Sequence, residues 1–434
     1  MRPRCDLNVA LCAVMLFCKT YGLGSQGKGS RQAQLGPVEE REYCMTLRQS
    51  INMIAGSMMM RGRPRAGLTL TRLTLTRLTW VRVKWVRVTW ARVRWARVRW
   101  ARLICLAGAA AGLTAATARA ETEIKFSLDQ RLEGPAAIFL LAQDSGYFRA
   151  EGLDVPIEEG AGGLEAISRV ASGAYELGLA DINALIRYRD RNPAAAVKAV
   201  FMLFNKPAFA IVGRKSRGIS GPKSLEDKKL GVPPDGLSYD QWPIFAKLND
   251  IDATKVALEK ISLAVRAPML AAGQIDAVLG YSYRVYVDLK DRGVPIDDVV
   301  LMPMADYGLK LYGSAIIVNS KFAGEKPEAV AGFQRALLKG LKATIRRPAA
   351  AVDSLLKRDD LSNRQVELER LQMLIRDNIL TPEVRENGLG AVDSARLTAA
   401  IDQIALAYAF RAKPKASDVF DPAFLPPAAD RKVD

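Results

Sequence analysis

The feature that most constrains the fold is an alternation of short apolar runs with helical segments from residue 121 onwards. Residues 123–128 alternate apolar and polar side chains, as a half-buried strand does, and a helical segment begins at Pro135. The same order recurs up to residue 204 and again from residue 230 to residue 302. Connections that contain a helix are long enough to join parallel strands. The pattern therefore predicts an α/β protein with two alternating units.

Two further segments indicate how the units are joined. Residues 209–213 are predicted as a strand that crosses to the second unit, and residues 311–318 as the strand that returns. From Lys326 onwards the apolar residues follow a helical period. We therefore predict two lobes, each a mostly parallel sheet flanked by helices, with a two-strand hinge and C-terminal helices. The predicted boundaries are residues 121–212 plus 311–434 for lobe 1 and residues 213–310 for lobe 2.

Charge divides the chain at about residue 120. Residues 1–120 hold 21 Lys and Arg against 4 Asp and Glu, whereas residues 121–434 hold 42 of each sign. The net charge of +17 therefore belongs to the first part, which also contains all five cysteines, and the whole chain has no histidine. Without His or Cys, residues 121–434 offer no typical zinc site, cysteine nucleophile or Ser–His relay. A carboxylate pair or a Ser–Lys arrangement remains open.

Residues 68–102 form a five-residue repeat with tryptophan at positions 80, 85, 90, 95 and 100. A basic aromatic arm of this kind suits nucleic acid or an anionic membrane. A period of five, however, reverses the face at every repeat on a strand and turns by about 140° per repeat on a helix. We therefore interpret residues 1–96 as a spurious or non-structural extension, translated from a tandem DNA repeat, with the binding arm as the alternative.

Residues 97–120 have the layout of a secretory signal peptide. Three arginines between positions 97 and 102 precede an apolar stretch at residues 103–113, and Ala118-Arg119-Ala120 forms an A-x-A cleavage site. The apolar stretch is too short to cross a membrane comfortably. We expect cleavage after Ala120 and a mature periplasmic protein that begins at Glu121.

The stretch SGYFRAEGLDV at residues 145–155 resembles the GYF…EGLDV signature of periplasmic substrate-binding proteins of the nitrate/sulfonate/taurine and NMT1/THI5-like group. The similarity covers about residues 123–345. It implies the two-lobed periplasmic-binding-protein fold of type II, in which a ligand is held between the lobes by closure at the hinge. Further elements of that group are matched in the same order at residues 127–137, 170–181, 222–232 and 270–280.

The resemblance also implies a function. Such a protein is the solute-binding component of an ABC importer, which captures a small organic ligand and delivers it to a permease and an ATPase at the inner membrane. The ligand classes are sulfonate, carboxylate and heterocycle. We expect a monomer without enzymatic activity, cofactor, metal or nucleic-acid partner. The alternative is a THI5-like pyrimidine-synthesis enzyme on the same fold, but that relative relies on histidine chemistry and this chain has no histidine.

Candidate ligand-binding residues follow from the position of ligands in open α/β sheets, which lie beyond the carboxyl ends of the strands. Glycines before a helix offer backbone N–H groups to an anion, although they also fit a plain tight turn. An arginine can pair with an anion, and tyrosines can form pocket walls. In lobe 1 the candidates are Gln130, Arg131, Gly160, Gly162, Gly163, Asn183 and Asn205, and in lobe 2 they are Ser238, Tyr239, Arg266, Tyr281 and Tyr307.

Overall fold

The computed structural model describes residues 121–234 and 236–433. The predicted extension at residues 1–96 and the predicted signal peptide at residues 97–120 lie outside the described residues. The strands of the described part are β1 Thr122–Glu123, β2 Phe126–Ser127, β3 Leu153–Asp154, β4 Ile157–Glu158, β5 Leu177–Asp181, β6 Val197–Met202, β7 Phe209–Arg214, β8 Lys229–Val232, β9 Ala257–Lys260, β10 Ala277–Tyr281, β11 Val299–Pro303 and β12 Ser314–Asn319.

Helices occupy most of the connections and the C-terminal third. They are α1 Ala137–Asp144, α2 Tyr147–Ala150, α3 Gly163–Ser172, α4 Ile182–Arg191, α5 Trp242–Leu248, α6 Leu263–Ala271, α7 Ser282–Asp291, α8 Ser320–Glu325, α9 Pro327–Arg346, α10 Pro348–Leu356, α11 Arg364–Leu374, α12 Pro382–Asn387, α13 Ser394–Ile404, α14 Ala416–Val419 and α15 Ala428–Arg431. Among these described helices, none has the combination of length and apolar character that crossing a membrane requires.

Two five-stranded sheets share one strand order. The first runs β4-β2-β5-β12-β6 and the second β9-β8-β10-β7-β11. In each sheet the first three strands are parallel, and the fourth is antiparallel to both of its neighbours. The predicted α/β class is confirmed, and so are the mostly parallel sheets: in each sheet four of the five strands run in one direction, and one strand, β12 or β7, runs against them. The reason is that β7 and β12 each enter their sheet from the other sheet's carboxyl edge, and must therefore run against the other strands.

The chain passes between the two sheets twice, after β6 and before β12. The two connecting segments bond to each other: the Phe204 N–H donates to the Ser314 carbonyl at 2.9 Å, and the Gly313 N–H donates to the Phe204 carbonyl at 2.9 Å. Paired segments of this kind fit the predicted two-strand hinge. Strand β7 lies wholly in the second sheet and runs across the predicted boundary between residues 212 and 213. The lobe boundaries stay a prediction.

Aromatic side chains fill the core beside the first sheet. The ring of Phe126 on β2 lies 4.7 Å from that of Phe139 and 5.3 Å from that of Phe333 on α9, measured between centroids. Phe148, from the GYF signature, stacks on Phe333 at 5.1 Å and is 2 % exposed. The signature phenylalanine therefore belongs to the core, where ring pairs add to the free energy of burial.

Helix α11 ties the C-terminal part to elements of both sheets. The carboxylate of Glu367 accepts a hydrogen bond from the Gly134 N–H, in the loop after β2. One turn further, Arg370 donates to Asp288 on α7, which follows β10 of the second sheet. Lys290 on α7 donates to Glu369 at 2.7 Å. The C-terminal helices thus hold the loop that follows β2 against a helix of the second sheet.

Candidate ligand-binding pocket

A pocket lies where the loop after β2 meets the end of β10. Because β2 belongs to the first sheet and β10 to the second, this cleft pocket has walls from both. Its volume is about 380 Å³ when the open mouth is included. The lining residues are apolar (Leu128, Pro135, Ala136, Leu179 and Phe204), aromatic (Tyr281 and Tyr283) and polar or charged (Asp129, Gln130, Arg131 and Glu133).

Three rings form a stack at one wall of the cleft pocket. The centroids of Phe209 and Tyr281 are 5.7 Å apart with ring planes 17° from parallel. Those of Tyr281 and Tyr283 are also 5.7 Å apart, with planes 7° from parallel. Tyr281 ends β10 and Tyr283 begins α7, so a strand-to-helix junction fixes both rings. A flat aromatic ligand can extend such a stack through offset packing.

Asp129 supplies a buried carboxyl to the same pocket. The residue is 8 % exposed and is the second residue after β2. Burial raises the pKa of Asp129 to about 7, and the nearby carboxyl of Asp181 adds to this effect, while a backbone hydrogen bond and Arg284 oppose it. A carboxyl with such a pKa is partly protonated near neutral pH. It can therefore donate a hydrogen bond through one oxygen and accept one through the other.

Asp181 caps helix α4. Its Oδ1 accepts a hydrogen bond from the Ala184 N–H at 2.9 Å, which is the capping role that its position after β5 indicates. Burial raises its pKa to about 7 as well. Asn183 is fully buried beside it: its Nδ2 donates to the Tyr312 carbonyl at 2.7 Å and to Asp181 at 3.2 Å. Asn183 therefore does not line the cleft pocket.

An ion pair neutralises the second acid of the pocket. Arg284 on α7 donates through Nε to an oxygen of Glu133 at 2.9 Å, and a further nitrogen bonds the other oxygen. Burial opposes the charged form of Arg284, but the pair with Glu133 outweighs burial and raises the pKa of Arg284. Of the described lining residues, Arg131 is the single cation, and it is exposed. An anion inside the pocket would therefore meet Asp129 without a buried positive partner.

The predicted glycine turn packs against the loop that follows β2. A Cβ on Gly160 would lie 2.1 Å from the Leu128 carbonyl oxygen, so only glycine allows this close approach. The Ala161 N–H already donates to the carboxylate of Glu165. A bound anion at Gly162 or Gly163 would have to compete with that carboxylate, and the anion role of the turn stays a prediction.

Asn205 lies in a network of buried polar groups at the hinge, defined here with Tyr312, Glu383 and Arg396 as the hinge cluster. Asn205 is 1 % exposed. Its Nδ2 donates to Glu383 at 2.9 Å, and its Oδ1 accepts from Thr381 at 2.7 Å and from Arg396 at 3.1 Å. The chain itself therefore uses every hydrogen-bonding group of the Asn205 side chain.

The remaining second-sheet candidates lie apart from the cleft pocket. Arg266 is 2 % exposed and donates to the Leu279 carbonyl at 2.7 Å, and burial lowers its pKa to about 10. Ser238 is buried, Tyr239 lines a different pocket, and Tyr307 packs edge-on against Phe245. Of the twelve predicted residues, the structure brings Gln130, Arg131 and Tyr281 together. The ligand-binding roles stay predictions.

The profile of the family described as NMT1/THI5 like matches residues 135–351, which is half of the chain. The chain belongs to the NMT1/THI5-like family. It is 28 % identical over 272 residues to the formylaminopyrimidine-binding protein of Halalkalibacterium halodurans, covering 60 % of this chain and 79 % of that protein. It is 27 % identical over 224 residues to the 4-amino-5-hydroxymethyl-2-methylpyrimidine phosphate synthase of Aspergillus parasiticus, covering 49 % of this chain and 64 % of that enzyme.

Solved structures show what fold this NMT1/THI5-like chain has. The periplasmic aliphatic sulphonate-binding protein SsuA of Escherichia coli superimposes with a TM-score of 0.53 at 14 % identity, covering 65 % of this chain and 86 % of SsuA. The periplasmic nitrate-binding protein NrtA of Synechocystis PCC 6803 gives 0.51 at 10 % identity, covering 70 % and 87 %. The predicted periplasmic-binding-protein fold is confirmed.

Asp129 and the Glu133–Arg284 pair were missed from the sequence of this NMT1/THI5-like protein. Asp129 adjoins the predicted Gln130, so its position after a strand was the signal that could have found it. Tyr283, like Tyr281, lies near a strand end, where tyrosines suit a pocket wall. The Glu133–Arg284 pair joins residues 151 positions apart, so no local sequence pattern predicts it. Within residues 121–234 and 236–433, no group of three or more Cys, Asp or Glu side chains is arranged to hold a metal ion.

Proposed function

We propose that this protein is the solute-binding component of an ABC importer, and that its ligand is a neutral aromatic heterocycle of the pyrimidine type. The observation that carries the proposal is the cleft pocket itself, in which the buried Asp129 carboxyl faces the stacked rings of Tyr281 and Tyr283. An aminopyrimidine presents an amino donor beside a ring-nitrogen acceptor. A protonated carboxyl complements this edge with one acceptor and one donor, while the tyrosine stack packs against the ring face.

Charge supports a neutral ligand over a sulfonate or carboxylate. Transferring an anion into a buried site is costly unless a cation or several donors receive it. Here Arg284 is already paired with Glu133, and Arg131 lies exposed at the rim. The remaining ionisable group, Asp129, repels an anion when it is ionised. A neutral ring avoids this cost and uses the carboxyl as a hydrogen-bonding partner.

The similarity to a protein named for binding a pyrimidine also supports a heterocyclic ligand. The similarity to a formylaminopyrimidine-binding protein extends over 272 residues and 79 % of that protein. The likeness to SsuA and NrtA supports the fold alone, since the identities are 14 % and 10 %. We therefore favour the heterocycle among the three ligand classes that the sequence left open.

The proposed transport cycle uses the two-sheet arrangement. The protein is exported by the signal peptide at residues 97–120 and works in the periplasm as a monomer. Ligand enters the open cleft and contacts Asp129 beside the first sheet and Tyr281 at the end of β10 in the second. Contacts that exist only when both sides meet the ligand favour the closed form. The permease then recognises this form and receives the ligand, with the ATPase supplying the energy.

A thermal-shift panel tests the ligand class. We expect 4-amino-5-hydroxymethyl-2-methylpyrimidine and a formylaminopyrimidine to raise the melting temperature, because a ligand that binds only the native state stabilises it. Taurine, an alkanesulfonate and nitrate should have no effect. Asp129→Ala should abolish the shift, whereas Asp129→Asn, which keeps a donor and an acceptor, should retain it. Stabilisation by taurine that survives Asp129→Ala would contradict the proposal.

A pyrimidine phosphate synthase is the second candidate, since six fungal relatives of this activity match the chain at 24–27 % identity over 45–49 % of its length. The histidine on which that chemistry relies is missing from the whole chain. We therefore expect the purified protein to give no product in an assay for 4-amino-5-hydroxymethyl-2-methylpyrimidine phosphate formation in which the Aspergillus parasiticus synthase is the positive control. Stoichiometric product in that assay would replace the transport proposal with the enzymatic one.

A further inference from the structure

A second pocket, the side pocket, lies apart from the cleft pocket and shares no lining residue with it. It is bounded by α4, by the segment that follows β8, and by the end of α13 with the turn after it. Its volume is about 530 Å³ when the open mouth is included. The walls are apolar at Ile244 and Ile404 and aromatic at Tyr239 and Tyr408. Nothing in the transport cycle proposed above uses this pocket.

The guanidinium of Arg187 is the charged group of the side pocket, and the protein satisfies it poorly. Arg187 is 5 % exposed. Its Nη2 lies 3.0 Å from an oxygen of Asp240, but the angle does not give a hydrogen bond. Its Nη1 donates to the Asp240 carbonyl at 3.5 Å, the outer limit for such a bond. Within the described residues, the guanidinium thus has one ion pair and one marginal hydrogen bond, and its buried Nη2 has no hydrogen-bond acceptor, which is costly for a buried charged group.

The carboxyls around Arg187 leave room for another anion. Asp240 lies at the rim with 45 % of its side chain exposed, so it can turn into water at little cost. Asp181, the N-cap residue of α4, interacts electrostatically with Arg187. Burial nevertheless raises the pKa of Asp181 to about 7, which reduces the negative charge of this carboxyl near neutral pH. Tyr408 is fixed in place, because its hydroxyl donates to Asp190 at 2.9 Å. The pocket therefore combines an under-used guanidinium with rigid apolar walls.

We propose that the side pocket binds a small organic carboxylate with an apolar body. The carboxylate accepts two hydrogen bonds from Arg187, because the planar guanidinium matches a carboxylate in bidentate geometry. The apolar body packs against Ile244, Ile404 and the tyrosine rings, and Asp240 turns outwards. The positive charge of the guanidinium favours a carboxylate over a neutral amide, and its planar geometry favours a carboxylate over a point-like anion.

The test uses phenylacetate as the probe and the full 434-residue chain, with isothermal titration calorimetry as the readout. Phenylacetamide has the same shape without the charge, and we expect it to bind at least about tenfold more weakly. Asp240→Asn should strengthen phenylacetate binding severalfold, since it removes the competing carboxylate from the rim. Asp353→Asn is the matched control, because it makes the same change at a half-exposed pair with Arg364. It should leave phenylacetate binding unchanged.

Two further variants locate the site. Arg187→Gln should abolish phenylacetate binding, and Ala407→Trp, at an exposed position of the rim, should block it without changing the melting temperature. The Ala407 variant keeps the test decisive if Arg187→Gln does not fold. Equal binding of phenylacetate and phenylacetamide would overturn the proposal. So would the absence of millimolar phenylacetate binding, or binding that Asp129→Ala removes and Ala407→Trp does not.

Discussion

The hinge cluster and the cleft pocket both contain buried polar side chains, but these side chains differ in how many partners they have within the protein. In the hinge cluster the Tyr312 hydroxyl donates to Glu383 at 2.6 Å and accepts from the Asp393 N–H at 2.9 Å. Arg396 donates to Glu383 at 2.7 Å and lies 3.9 Å from the centre of the Tyr312 ring. In the cleft pocket, Asp129 is 8 % exposed and has no ion pair among the described residues.

This difference distinguishes the hinge cluster, whose polar groups bond to one another, from the binding site that we propose around Asp129. A network in which each donor meets an acceptor rigidifies the region that holds it. A buried carboxyl without an ion pair lowers the free energy of unfolding. Such a group in a cleft is therefore a candidate for a ligand contact. Asn205 and Asp129 both follow strands of the first sheet, yet only the second presents an unused hydrogen-bonding group to a pocket.

The largest expected effect comes from breaking the hinge cluster. Arg396→Ala removes the partner of Glu383 and leaves that partly buried charge uncompensated, so we expect a loss of about 3 kcal/mol in the free energy of unfolding. Arg364→Ala, at a pair with Asp353 that is half exposed, is the control and should cost less than about 1 kcal/mol. Urea unfolding measures both. Equal losses would show that the hinge cluster is no more than a surface ion pair.

Removing the Asp129 carboxyl from the cleft pocket should weaken ligand binding without lowering the free energy of unfolding. Asp129→Ala leaves the amino and ring-nitrogen groups of a bound pyrimidine unpaired, which costs about 1–3 kcal/mol of binding free energy, or about fivefold to 150-fold in Kd. The free energy of unfolding should stay the same or rise, because a desolvated carboxyl is gone. Calorimetry and urea unfolding together check this. A large loss of stability with unchanged affinity would make Asp129 a structural residue.

The pH dependence of stability sharpens the comparison further. Folding raises the pKa of Asp129 from 3.8 to about 7, so the native state binds more protons than the unfolded chain between these two values. Stability therefore falls as the pH rises through this window. Asp129→Asn should reduce that fall by the share of Asp129, while Asp181 retains its own. If the free energy of unfolding depended on pH in the same way in the variant and the wild type, burial would not raise the pKa of Asp129.

The smallest effect is expected at Asp144, a carboxylate near the surface that forms ion pairs with two basic side chains. Burial alone would raise the pKa of Asp144, but hydrogen bonds from Arg358 and Lys357 outweigh it and lower the pKa to about 2. Asp144→Asn should therefore cost about 1 kcal/mol near neutral pH. This contribution disappears as the pH falls from 3.8 to about 2, the reverse of Asp129. Unfolding at several acidic pH values distinguishes the two signs.

Local periodicity carries most of what the sequence could predict about the fold. Strand and helix patterns placed the two alternating units, and the position after a strand pointed to Gln130, Arg131 and Tyr281. The direction of β7 and β12 lay beyond local patterns, because it depends on the edge from which each strand enters its sheet. Asn205 was placed at a strand end, but its partner Arg396 is 191 residues away. Pairings of that kind decide which polar side chains remain available to a ligand.

Calorimetric titration with 4-amino-5-hydroxymethyl-2-methylpyrimidine at two pH values tests the central claim most directly. If a protonated Asp129 donates to a ring nitrogen, the affinity of the wild-type protein should fall between about pH 6 and about pH 8.5, since the carboxyl loses its proton in this interval. Asp129→Asn, which always carries a donor, should bind with the same affinity at both values. No binding at either pH, or a wild-type affinity that does not change with pH, would contradict the account.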